Sequence, residues 1–150
     1  MNDKQQEAVS VLNSLIETCE DGRAGYRQAA EHSNEPQLSS TFSRLAQQRT
    51  EYAEELRQEV RTMGGEPAEE GTVAGKLYRG WMNIKENITG NDPHAIIADC
   101  EKGEDQALEN YRDALEHELP QNVRSVVERQ FTGISQAHDH IRSLEKRTED

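Results

Sequence analysis

Aromatic residues are scarce in this chain. One Trp, two Phe and four Tyr make up 5% of 150 residues. Any core must therefore be built from Leu, Ile, Val and Ala with a few tyrosines. Only two cysteines are present, Cys19 and Cys100, too few for a disulfide framework. Hydrophobic residues reach 33%, and no run approaches the ~20 apolar residues that span a bilayer. The stretch Met1-Asn2-Asp3-Lys4-Gln5-Gln6-Glu7 has no apolar signal core, so a cytoplasmic location is expected. Basic residues are outnumbered, 17 Lys and Arg against 29 Asp and Glu, which leaves a net charge of -12. No Lys/Arg cluster stands out, so nucleic acid and anionic lipid are not expected partners. A Gly-rich phosphate loop, a paired-Cys zinc spacing and a supportable Ser/His/Asp arrangement are all lacking. So is Glu-x-x-His, the spacing by which iron-holding bundles place a carboxylate and an imidazole on one inward helix face.

What is present is helical periodicity along nearly the whole chain. Val9, Leu12, Leu15, Ile16, Cys19, Tyr26 and Ala30 step by three or four and predict a helix over about 3–32. Ser33-Asn34-Glu35-Pro36 breaks it, and Pro36 suits the first turn of a second helix over about 36–63. That helix carries Leu38, Phe42, Leu45, Tyr52, Leu56, Val60 and Met63 and ends at Gly64-Gly65. A short helix over about 72–89 is read from Val73, Leu77, Trp81, Ile84 and Ile88, with Gly75 and Gly80 allowing close approach. Asp92 caps and Pro93 opens a helix over about 93–118, with Ile96, Cys100, Ala107, Tyr111, Ala114 and Leu115 on one face. The last helix, about 120–147, carries Val123, Val127, Phe131, Ile134, Ala137, Ile141 and Leu144. No segment alternates like a strand. The expected fold is one all-α domain over residues 1–150, a four-helix bundle. Tight turns join the first pair and the last pair. The long middle connection suits a crossover along the bundle, which makes the second and third helices parallel.

A few polar side chains fall on the apolar stripes: Arg23, Arg49, Glu104, Gln130 and His138. With a crossover, Arg23, Arg49, Glu104 and His138 share one depth, roughly 14 to 20 Å from one end at 1.5 Å per residue. They are expected to form a buried polar layer in which Glu104 accepts from Arg49 or Arg23. The rival reading is a metal site of Glu20, Glu104 and His138, whose oxygen and imidazole donors suit iron or manganese. Arg23 and Arg49 in the same layer oppose it by charge. Carboxylate pairs at i, i+3 such as Glu17/Glu20, Glu51/Glu54 and Glu101/Glu104 recur no more often than 29 acidic residues produce by chance. Cys19 and Cys100 lie on the apolar stripes and are expected to be reduced, buried thiols.

Four stretches carry a family resemblance: Leu15-Ile16-Glu17-Thr18-Cys19-Glu20-Asp21-Gly22, Gly64-Gly65-Glu66-Pro67, Gly75-Lys76-Leu77-Tyr78-Arg79-Gly80-Trp81-Met82 and Cys100-Glu101-Lys102-Gly103-Glu104-Asp105. They resemble an uncharacterised bacterial family described as a ferritin-like four-helix-bundle domain of unknown function. The resemblance implies a ferritin-like fold and no activity. Relative to ferritin-type helices, Arg49 and Tyr52 stand where a ligand Glu and His would, and Ser135-x-x-His138 keeps only the imidazole. The expected role is structural or interactive, with stress physiology suggested by fold analogy. No cofactor is expected in that reading. The alternatives are an iron or manganese oxidoreductase using Glu20, Glu104 and His138, and a small-ligand carrier gated by the Trp81 helix. Self-association along helix faces is expected of bundles of this class.

Overall fold

Four helices carry the apolar stripes in the computed structural model: α1 (Asp3–His32), α2 (Pro36–Thr62), α3 (Pro93–Leu115) and α4 (Gln121–Thr148). The structure describes residues 1–69, 81 and 92–148, and no strand occurs among them. The helix read over 72–89, with Gly75, Gly80 and the Gly-Trp-Met stretch, lies outside the described residues except for Trp81.

Local chemistry sets the helix ends. Asn2 and Gln5 form a capping box on α1, each side chain reaching the other's backbone N–H. After α2, Gly64 adopts φ 82, and the Gly65 N–H returns to the Val60 carbonyl. The Asp92 carboxylate accepts from the N–H groups of His94 and Ala95, and Pro93 opens α3. α3 stops at Leu115 rather than near 118. The N–H groups of Glu116 and His117 tighten to i−3 carbonyls, and the Arg124 guanidinium donates to the Leu115 and His117 carbonyls.

Side-chain meetings fix the directions. Glu7 meets His117 and Thr18 meets Asn110, so α1 and α3 are antiparallel. Glu59 meets Asn122 and Tyr52 meets Gln130, so α2 and α4 are antiparallel. α1 lies against α2 and α3, while α4 lies against α3 and α2. The α1/α2 and α3/α4 pairs are hairpins, so α2 and α3 are parallel across the bundle's diagonal. The chain leaves α2 beside Val9 and Asn13 and enters α3 beside the far end of α1. The end of α2 and the start of α3 therefore lie at opposite ends of the bundle.

Trp81 is 2% exposed and marks where the connection between them enters the core. Its indole lies between Gly25 on α1 and Gly103 on α3, and a Cβ at either glycine would collide with it. Tyr26 meets it edge-on at 4.7 Å. The core divides into two apolar clusters. One includes Leu12, Leu15, Leu56, Tyr111 and Val127, and the other includes Tyr26, Phe42, Trp81, Ile97 and Ile141.

Candidate functional site

A polar layer separates the two clusters. Arg49 follows Ala46 of one cluster and precedes Ala53 of the other; Glu104 likewise lies between Cys100 and Ala107. Arg49 Nη1 is 2.6 Å from Glu104 Oε1, and Nη2 donates to Oε2 at 2.8 Å. This two-point fork spans the α2–α3 diagonal, with Arg49 1% and Glu104 0% exposed. Gly22 on α1 leaves room for the guanidinium, since a Cβ there would meet Nη1 at 3.0 Å. Tyr26 presents its ring 5.5 Å from the guanidinium carbon. Burial works to lower the Arg49 proton affinity, but the charge and hydrogen bonds of Glu104 outweigh it and hold the guanidinium above the usual arginine range. Burial, and then the Glu104 charge, push the Tyr26 hydroxyl well up, so it stays a neutral phenol.

Glu20 forms the second part of the layer. Its Oε2 accepts from Arg23 Nε at 2.9 Å and Nη2 at 2.6 Å, and its Oε1 accepts from Arg57 Nη2 at 3.2 Å. Arg57 also donates to the Ala68 carbonyl, tying the start of the crossover to α2. Two core carboxylates, Glu20 and Glu104, thus face three guanidiniums.

A hydrogen-bond chain touches all four helices beside this layer. Cys19 Sγ lies 3.1 Å from the Tyr111 hydroxyl, which donates to Gln130 Oε1 at 2.8 Å. Gln130 Nε2 donates to Glu55 Oε1 at 2.8 Å and to the Tyr52 carbonyl, and Glu55 pairs with Arg129 at the surface. Burial pushes the Cys19 thiol up to about 11, against the opposing Tyr111 hydrogen bond. Burial, with the charges of Glu104 and Asp99, pushes Cys100 well up too. Both thiols are unpaired, buried and poor nucleophiles.

Of the five residues placed in one layer by sequence, Arg49 and Glu104 meet directly. Gln130 is fully buried in the hydrogen-bond chain. Arg23 turns back one helical turn to Glu20 and leaves Glu104 to Arg49. His138 is displaced to the rim of the bundle, where its Nε2 is 2.7 Å from Asp105 Oδ1. It sits roughly 80° around α4 from Gln130 at 100° per residue, which aims it along the α3 flank.

The trio Glu20, Glu104 and His138 is accordingly not assembled. Each is engaged by different partners, Glu20 by Arg23 and Arg57, Glu104 by Arg49 and His138 by Asp105. A di-iron centre of the ferritin type does not fit this donor set. Among the described residues, the group of three potential ligands that does converge is Glu101, Asp105 and His138, on the α3–α4 face. Sequence reasoning missed Arg57, and with it the double engagement of Glu20. The signal was present, because Arg57 lies eight residues after Arg49 on a stripe running through Ala46, Ala53 and Val60. No helix among the described residues is long and apolar enough to cross a membrane.

The chain belongs to the family described as Domain of unknown function (DUF2383), whose model matches residues 7–117. That span holds α1 from residue 7 onward, α2, the connection after it and α3, including Glu20, Arg49 and Glu104. No curated protein matches the chain.

Proposed function

We propose that this protein is a non-catalytic helical scaffold whose core ion pairs take the place that a metal centre occupies in carboxylate-rich bundles. The observation that carries this reading is the buried Arg49–Glu104 fork between the two apolar clusters. A fixed guanidinium repels a cation, and it leaves neither Glu104 oxygen free to ligate. Glu20 is held in the same way by Arg23 and Arg57. Buried pairs of this kind act best as register devices, because each satisfies its partner only in one alignment of the helices. The α2–α3 diagonal is where such a device is needed, since no tight turn aligns those helices.

The scaffold would act through its surface. Among the described residues Met1 is the strongly exposed large hydrophobic side chain, so a partner meets a charged face. A net charge of -12 favours basic partners and salt-sensitive association. Pairing with a second copy, and any link to stress physiology, belong to the same proposal at lower resolution. Two unpaired buried thiols suit a reducing cytoplasm. The carrier reading gains no support from Trp81, which is wedged between two glycines.

Anaerobic Fe(II) or Mn(II) loading followed by elemental analysis tests the proposal. The expected result is no metal whose retention depends on Glu20 or Glu104, and no Fe(II) oxidation by wild type above that of buffer. Stoichiometric iron that disappears in Glu20→Gln or Glu104→Gln, with helical content retained, contradicts it.

A further inference from the structure

We propose that Glu101, Asp105 and His138 form a divalent-metal site on the α3–α4 face, separate from the core layer. Glu101 and Asp105 are one turn apart on α3, so both carboxylates face the same flank of α4. One donor atom from each of the three residues lies within 4.8 Å of the other two. Metal–donor bonds of about 2.0–2.2 Å put donors up to roughly 4 Å apart, so the group closes on an ion by side-chain rotation alone.

Three further observations point to a ligand. Glu101 Oε2 is buried and accepts no hydrogen bond among the described residues. A buried carboxylate oxygen without a donor is costly, and a cation satisfies it. The Glu101 carboxyl also lies against that of Glu145 on α4. Two acids held together need a proton or a cation between them. Finally, the His138 ring is oriented. Its Nε2 faces Asp105 while Nδ1 lies 3.6 Å from the Asp139 carboxylate, as an outer carboxylate orients a ligating histidine. The His138 side chain is 12% exposed and that of Asp105 60%, so an ion reaches the site from solvent without unfolding the bundle.

One imidazole with two or three carboxylate oxygens suits zinc or manganese rather than a soft metal or calcium. The Glu20 and Glu104 guanidinium pairs take no part, so this site and the core reading stand independently.

The test is isothermal titration of the metal-free full chain with Zn(II) and with Mn(II), on wild type, Asp105→Asn, His138→Ala and the control His140→Ala. Circular dichroism checks that each variant is folded, and Asp105→Asn, at an exposed position, guards against a misfolded His138→Ala. Expected are stoichiometric, saturable binding by wild type and His140→Ala, and at least about a tenfold loss of affinity in Asp105→Asn and His138→Ala. A metal-dependent rise in melting temperature should follow the same pattern. Absence of saturable binding by wild type overturns the proposal, as does binding unchanged in both ligand variants. Binding lost in Glu104→Gln but kept in His138→Ala would overturn it and the scaffold reading together.

Discussion

Glu104→Gln is expected to destabilise the protein by about 3–5 kcal/mol, the range found when one partner of a buried ion pair is removed. The size follows from burial, since Arg49 is 1% exposed. With Glu104 neutral, the guanidinium loses its counter-charge, and it cannot release its proton to escape the low-dielectric interior. It cannot turn to water either, because Gly22, Tyr26 and the two apolar clusters enclose it. Urea denaturation followed by Trp81 fluorescence reads the loss as a lower midpoint at unchanged slope. For a domain of this length the melting temperature should fall by roughly 10 °C. A change under about 1 kcal/mol would mean that the pair is hydrated or loose, and it would remove the argument that this layer sets the register.

Trp81→Ala should cost a comparable amount, about 3–5 kcal/mol. The indole is a large, almost fully buried side chain of the α2–α3 connection, and both helices that receive it carry glycine at the contact. The two glycines that flank the indole, Gly25 and Gly103, offer no side chain to collapse into the space. Tyr26 loses its edge-on contact as well. The residual cavity should therefore stay open and apolar, and such cavities accept small aromatic ligands. Added indole is expected to raise the melting temperature of Trp81→Ala and to leave wild type unmoved. A loss below about 1 kcal/mol, or an equal indole response from wild type, would show that the slot is already accessible. That result would revive the carrier reading.

The positions and directions of α1 to α4 were legible because they depend on local periodicity and punctuation. Pro36, Gly64 and the Asp92-Pro93 pair end or start helices where their backbone chemistry requires. The crossover followed from the length between Gly65 and Asp92 alone. Depth was legible too, since Arg49 and Glu104 meet, and Asp105, next to Glu104, meets His138. Direction within the layer was harder to read. A stripe drawn through Leu45, Arg49, Tyr52 and Leu56 differs by a few tens of degrees from the buried line through Ala46, Arg49, Ala53 and Arg57. That rotation moves Tyr52 to the flank over Gly133 and brings Arg57 onto Glu20. Hydrophobic periodicity does not fix helix rotation that finely. The Glu101–Asp105–His138 convergence depends on the α3–α4 register as well, which no single helix encodes. In sequence Glu101 counted only within one of the carboxylate pairs that chance produces, and its partial burial against α4 becomes visible only when the two helices are paired.

The most direct test of the central claim is a double-mutant cycle on the core pair, combining Arg49→Met and Glu104→Leu. Equilibrium urea unfolding of wild type, both single variants and the double variant gives the coupling between the two side chains. A register-fixing, fully desolvated fork predicts that each single change is strongly destabilising. The double variant should then be more stable than either single variant, because no unpaired charge remains buried. Additive losses, with a coupling indistinguishable from zero, would contradict the account. They would show that Arg49 and Glu104 are each held by other groups, and that the centre of the bundle is not closed by this pair.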